Sequence, residues 1–282
     1  MMRIAISNIA WETSDDELVA SLLKKHDIDA IDIAPGKYFP EPGRASSEEI
    51  SRVRDWWKSR GFDITGMQSL LFGTSGLNLF GSDDIRSAML DRLAAVCRIA
   101  AGLGATRLVF GSPKNRDRSG LTDQETQTAA VGFFRRLGDI AARHGVLVCL
   151  EPNPVCYGAN FMTSSEETAC IVSEVAHPAI RMQLDTGAMT INGEDAAWAI
   201  RKYSPLFGHI HASEPNLVTL GDGGTDHSGV ASAIRERLPG LVVSIEMLPS
   251  KNELNQVAIE RALGVAIRHY RDGMATQVAD TI

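Results

Sequence analysis

The feature that most constrains the fold of this chain is a local pattern repeated four times in succession. Each time, a short β-type run ends on an acid or a histidine and is then broken. Leu147-Val148-Cys149-Leu150 runs into Glu151, and Pro152, which has no N–H to give and restricts the residue before it, ends the ladder. Arg181-Met182-Gln183-Leu184-Asp185 precedes Thr186-Gly187, Phe207-Gly208-His209-Ile210 precedes His211, and Leu241-Val242-Val243-Ser244-Ile245 precedes Glu246. Four consecutive strands therefore present a metal-type ligand at their C-terminal tips, in the order Glu151, Asp185, His211, Glu246. Helical patterns near residues 164–176, 194–203 and 226–238 separate them.

The first half of the chain has the same rhythm. A strand at Arg3–Ser7 leads to a helix that reaches about His26 and opens on a Ser14/Glu17 capping box. Strands follow at residues 30–33, 62–68 and 107–111, with helices at 46–60, 83–103 and 122–144 and a last helix at 254–270. The stretch Ser69–Gly81 is a long glycine-rich and apolar loop, of the kind that serves as a lid or binding loop. Eight strands alternating with eight helices predict a parallel sheet, and eight units favour a single (β/α)8 TIM barrel over an open doubly wound sheet. The barrel is expected over residues 1–272, with a polar tail at 273–282. The turn Asn8-Ile9-Ala10-Trp11-Glu12 lacks the glycines of a dinucleotide fingerprint, which leaves the open-sheet alternative without a site.

Composition narrows the partners. A formal net charge of −7 repels phosphate backbones, so no nucleic-acid partner is expected and a small molecule is. No window approaches the roughly 18 apolar residues of a membrane span, and the N-terminus lacks a signal-peptide pattern. The four cysteines, Cys97, Cys149, Cys156 and Cys170, have no CxxC spacing and read as reduced thiols of a cytoplasmic protein. The sequence leaves a homo-oligomer open.

In a barrel the ring of strand C-termini is the functional face, and successive tips one βα unit apart are spatial neighbours. Three carboxylates and one imidazole form an oxygen-rich set that suits one divalent ion, Mn2+ foremost, with Mg2+ or Co2+ as the other candidates. Without a cation, three converging carboxylates repel one another. Taken singly, each acid could as well cap the following helix or pair with a lysine; four at the same topological position is the specific signal.

In the settings LEPN, QLDTG, GHIHASE and SIEM, these residues resemble the metal site of the xylose-isomerase-like barrel superfamily, in particular its sugar-phosphate isomerase and epimerase members such as the ketose 3-epimerases. The resemblance is specific mainly from Glu151 onward. It implies one divalent ion held by Glu151, Asp185, His211 and Glu246, with Glu151 and Glu246 doubling as acid and base on opposite faces of a sugar or sugar derivative. Removing a proton α to a carbonyl leaves an enediolate that a metal stabilises, and returning it inverts a stereocentre or moves the carbonyl, without an organic cofactor. Two family features are missing: the ketose epimerases carry a histidine soon after the strand-six aspartate and an arginine soon after the strand-seven histidine. Here those segments read Asp185-Thr186-Gly187-Ala188-Met189 and His211-Ala212-Ser213-Glu214-Pro215-Asn216-Leu217. Their absence puts a free ketohexose substrate in doubt and favours a bulkier or anionic derivative. Three alternatives stand beside the isomerase: a metal-dependent lyase or dehydratase of a keto-sugar, keto-inositol or 3-keto-glycoside; a phosphodiesterase resembling the apurinic endonucleases; and a non-catalytic sugar-binding barrel.

Several further residues are candidates for substrate contact. Lys114 and Arg116, on the loop after strand four, are placed to grip an anionic or glycosyl oxygen, with a solvated cationic loop as the alternative. Gln68 closes strand three, His209 lies two residues before His211 on the same side of its strand, and His227 starts a helix at the rim. Gly221-Asp222-Gly223-Gly224 reads as an anion-binding turn, and Asp226 as a helix cap. Trp11 and Phe72 are apolar walls for a sugar face, or core.

Overall fold

A computed structural model describes residues 2–273. Eight parallel strands close into one barrel in chain order. They are β1 (Ile4–Ser7), β2 (Ala30–Ile33), β3 (Asp63–Met67), β4 (Arg107–Phe110), β5 (Leu147–Leu150), β6 (Ile180–Asp185), β7 (Phe207–Ser213) and β8 (Val243–Glu246). The barrel has no free edge, because β1 pairs with β8 as well as with β2. Strands covered on both faces carry few exposed residues, and β7 is buried along all seven of its residues. The ring of helices comprises α1 (Asp16–Lys25), α2 (Ser47–Ser59), α3 (Asp83–Leu103), α4 (Asp123–Arg143), α5 (Ser165–Val175), α6 (Thr186–Asn192), α7 (Ala196–Tyr203), α8 (His227–Arg237) and α9 (Asn255–Ala266). The predicted tail at 273–282 lies outside the described residues, apart from Gly273.

Helix starts encoded locally form as expected. Ser46 and Thr122 close full capping boxes with Glu49 and Glu125, and Asp226 accepts from the Gly229 N–H. The Ser14/Glu17 box does not form. Residues Thr13–Asp15 make a tight 3-10 turn and α1 begins at Asp16 without a side-chain cap. Glu17 accepts instead from Arg60 Nε and Nη2 (2.9 and 2.7 Å), while the Asp16 carboxylate accepts from the Trp11 indole N–H (2.8 Å) and the Tyr38 hydroxyl (2.7 Å). The short α6, which periodicity did not reveal, makes nine α-helices among the described residues where eight were expected. The last helix turns π-helical at Ile267–Arg271.

Register places the strand tips side by side. Asp185 is opposite His211 and Ser213 is opposite Glu246, so the C-termini of β6, β7 and β8 form one continuous rim. Beneath that rim the barrel interior is polar rather than aliphatic: Ser7, Asp32, Gln183, His209 and Ser244 are all buried there.

Candidate metal centre and cavity

Glu151, Asp185, His211 and Glu246 converge, with one ligand-type atom from each lying within 4.8 Å of the others. His211 Nδ1 sits 3.2 Å from Glu246 Oε2, 3.5 Å from Glu151 Oε1 and 3.9 Å from Asp185 Oδ2. Each acid is also held from behind. Gln68 Nε2 donates to Glu246 Oε1 (2.6 Å), Asn153 Nδ2 to Glu151 Oε2 (3.0 Å), and Ser213 Oγ and the Ala188 N–H to Asp185 Oδ1 (2.9 and 2.6 Å). The last contact makes Asp185 the N-cap of α6, so one carboxylate both starts a helix and faces the cluster. A side chain at Gly111 would strike the cluster, since a Cβ there would lie 1.9 Å from Glu151 Oε2.

The four groups perturb one another. Burial, then Glu246 and Glu151, push the Asp185 carboxyl well above its ordinary range. Burial opposes a charged His211, yet Glu246 and Glu151 outweigh it and raise the imidazolium well above its usual value. Glu151 Oε1 is buried without a hydrogen-bond partner. Three carboxylate oxygens and one imidazole nitrogen that close together form a candidate site for a hard or borderline divalent ion.

A second layer lies below. His209 Nε2 is 2.8 Å from Asp32 Oδ2, and Thr65 Oγ1 donates to Asp32 Oδ1 (2.8 Å). Burial disfavours a charged Asp32, but His209 beside it wins and holds the carboxyl down at about 2. Gln183, its amide oriented to satisfy its neighbours, accepts from the His211 backbone N–H (3.2 Å) and donates to the His209 carbonyl (3.3 Å). His209 therefore braces β7 beneath the cluster and does not line the cavity.

Above the cluster lies a cavity of about 470 Å3, walled by Gln68–Phe72, Val109–Ser112, Glu151–Pro154, Tyr157, Ala188, Asn216, Leu217 and Leu248. Of the expected contact residues, Gln68 and Phe72 reach it. Lys114 is exposed outside it. Arg116 is fully buried, donating from Nη1 to the Glu151 carbonyl (2.7 Å), and burial lowers its guanidinium to about 10. The expected cationic grip is instead a buried brace under the Glu151 backbone. His227 is likewise buried, between the Tyr270 hydroxyl (2.7 Å) and Glu214 Oε1 (3.0 Å). Trp11 is in the core. The glycine turn binds an anion, but an internal one: Gly221 N and Thr225 N donate to the two oxygens of Glu214 (2.8 and 3.0 Å), which His227 helps hold down at about 2 against the cost of burial. Sequence reasoning missed Asp32, Asn153, Ser213 and Glu214. Only Asn153 and Ser213 carried a local signal, each lying two residues beyond a cluster ligand.

A sequence profile of the xylose isomerase-like TIM barrel family matches residues 20–270. A D-psicose 3-epimerase from Enterocloster bolteae is 30% identical over 122 residues, a match covering 43% of this chain and 38% of that relative. Among solved structures, a D-psicose 3-epimerase with D-tagatose from Clostridium cellulolyticum H10 superposes with a TM-score of 0.80 at 19% identity, covering 95% of this chain and 99% of that one. A 3-keto-D-glucoside 4-epimerase from E. coli gives 0.77 at 18% identity, covering 94% and 98%. At such identities the structural likeness speaks for the fold.

Proposed function

This chain belongs to the xylose isomerase-like TIM barrel family, and on that premise we propose that it is a divalent-metal-dependent isomerase or epimerase of a sugar or sugar derivative. The observation that carries the reading is the convergence of three carboxylates and one imidazole at the tips of β5–β8, beneath a cavity of sugar-accommodating size. Manganese is the ion we expect there, held by Glu151, Asp185, His211 and Glu246. It supplies Lewis-acid stabilisation of the negative charge that develops on adjacent substrate oxygens.

The protein's own groups do the rest. Glu151 and Glu246 both line the cavity and come from strands three positions apart around the barrel, so they approach a substrate carbon from different sides. One carboxylate removes the proton α to the carbonyl, leaving an enediolate, and the other protonates the opposite face. Asn153 and Gln68 fix the two carboxylates by their outer oxygens, which aims the remaining oxygens inward. The curated relative named a D-psicose 3-epimerase supports the isomerase reading. Ala188 and Leu217, which line the cavity without a polar group, keep elimination as the second reading, since the same enediolate can expel a β-substituent. We place the enzyme in a reducing cytoplasm, in keeping with four free cysteines. No helix among the described residues is long and apolar enough to cross a membrane.

The test is exchange. The manganese-loaded protein is incubated in D2O with a panel of free ketohexoses, keto-glycosides and sugar phosphates and followed by NMR. Deuterium entering a C–H next to a carbonyl, with epimer formation, supports isomerisation; loss of a β-substituent selects the lyase. No exchange anywhere in the panel refutes both.

A further inference from the structure

We propose that Asp32, on β2, is a positioning residue of the metal centre: its carboxylate, facing His211 from beneath the cluster, keeps that ring's proton on Nε2 and so leaves Nδ1 free to bind the ion. The inference rests on reading the acid cluster as a metal centre and on nothing about the substrate.

The first argument is an unmet need of His211. An imidazole that binds an ion through one nitrogen carries its proton on the other, and that second N–H is normally given to a carboxylate, a carbonyl or water. His211 turns Nδ1 toward Glu246 and Glu151 (3.2 and 3.5 Å). Its Nε2 is buried and has no hydrogen-bond partner. Asp32 Oδ2 is buried without an aligned donor as well, although His209 Nε2 lies 2.8 Å from it. One ligand-type atom from each of Asp32, His209 and His211 falls within 4.8 Å of the other two. A carboxylate in that place favours the tautomer whose proton is on Nε2, which is the one that can ligate through Nδ1.

The second argument is how the barrel aims this layer. The β2–β3 register shifts between Ile31 and Asp32, and the β6–β7 register shifts between Met182 and Gln183, whose ladder partner is His209. Irregularities of this kind re-aim a side chain, and both fall at the residues beneath the cluster. Gly66, paired with Asp32 across β3, leaves the space it needs: a Cβ there would lie 2.6 Å from Asp32 Oδ1. Thr65 Oγ1 donates to that same oxygen (2.8 Å), which leaves Oδ2 for the histidines.

Stability does not account for the arrangement. Asp32 and His209 are both buried, and in a buried ion pair the loss of hydration offsets the attraction, so apolar side chains of similar size would hold the barrel as well. Asp32 does not line the cavity either, so it acts on the site only through His211.

The test reads the metal and not turnover. Manganese is titrated by calorimetry, and cobalt loaded in its place is followed by visible absorption, whose bands respond to the ligands around the ion. Asp32→Asn keeps the side chain's size and can still accept from Thr65; its manganese affinity should fall by roughly 10- to 100-fold and its cobalt bands should move. Gly66→Ala, which displaces the carboxylate without removing its charge, should weaken manganese and move the bands in the same direction. Asp16→Asn is the control for mere destabilisation: that buried carboxylate accepts from Trp11 and Tyr38 and lies outside the cluster and the cavity lining, so melting should fall with both metal readouts unchanged. Unchanged affinity and bands in either Asp32→Asn or Gly66→Ala, provided the variant folds, overturn the proposal, as does an equal loss in Asp16→Asn. A stoichiometry of two ions per chain that falls to one in Asp32→Asn overturns it too, because Asp32 would then be a ligand. Wild-type protein that binds neither manganese nor cobalt sinks the metal centre itself, and the proposal with it.

Discussion

Gly111→Ala is the substitution that best separates the site from the fold. The new methyl would sit 1.9 Å from Glu151 Oε2, where real Cβ contacts do not fall below 3.0 Å, so the carboxylate must retreat by about 1 Å. The obstructing atom is the far end of a flexible side chain, and Gly111 has no positive φ to lose. Stability should therefore change by no more than about 1 kcal/mol, with the smaller entropy of the unfolded alanine chain acting in its favour. Function should not escape so lightly. The retreat breaks the bond from Asn153 and moves a ligand that is also the proposed acid–base group. A misplacement of about 1 Å costs on the order of 100-fold in rate, or about 2.7 kcal/mol of transition-state stabilisation. The assays are thermal melting, manganese titration by calorimetry and deuterium exchange. Gly132→Ala, on α4, is the control, because a Cβ added there meets nothing within 4 Å, and it should be neutral to slightly stabilising. A Gly111→Ala protein with wild-type manganese affinity and exchange rate would show that Glu151 does not act from this position.

Asp185→Asn and Glu246→Gln should fail differently: excess manganese restores part of the exchange activity in the first, which has lost mainly a ligand, and little in the second, which has also lost a proton carrier. Equal recovery in metal titrations of the two would remove the acid–base role of Glu246. In the metal-free protein, the part of the stability that Asp185 and His211 carry should be lost as pH rises. Asp185 and His211 are both shifted upward, so each binds its proton more tightly folded than unfolded. The resulting stability is complete below the ordinary values of 3.8 and 6.5 and is lost as pH climbs through the raised folded values. Manganese binding must then release protons, which calorimetry in buffers of different ionisation enthalpy detects; a heat independent of buffer would contradict the shifts. Arg116→Ala should lower stability by about 1.5–3 kcal/mol through the lost bond to the Glu151 carbonyl, whereas Lys114→Ala should change neither stability nor kinetics. A Lys114→Ala effect on KM comparable to that of a cavity residue would restore the cationic loop as a substrate contact.

The barrel was legible because its grammar is local. A parallel strand buried on both faces is an uncharged run, and its end is marked where a proline or a Thr-Gly pair follows the tip. The Asp226 cap needs only a residue three positions away, and it formed; Ser46 and Thr122, read as helix starts, close capping boxes of the same local kind. What failed was decided at a distance. Glu17 was claimed by Arg60 from the end of α2, so the capping box lost to a tertiary bond. Arg116 looked like a loop cation because sequence cannot show that the Glu151 carbonyl waits for it inside the protein. Helix α6 was hidden because Asp185, read as a strand tip, is also a cap, and one residue serving two elements leaves no separate signal.

The glycine turn after β7 makes the same point about function. Its amides do hold an anion, as the sequence suggests, but the anion is Glu214, three residues beyond a cluster ligand and held also by His227. An internal carboxylate in that place has two consequences. It occupies the donors that a substrate phosphate would otherwise use, and it adds a fourth negative group to the cavity lining. Sequence alone offered the turn as evidence for an anionic ligand. Folded, the same residues offer no open anion site there, and a divalent ion, as proposed, would be the positive charge that balances the acid cluster.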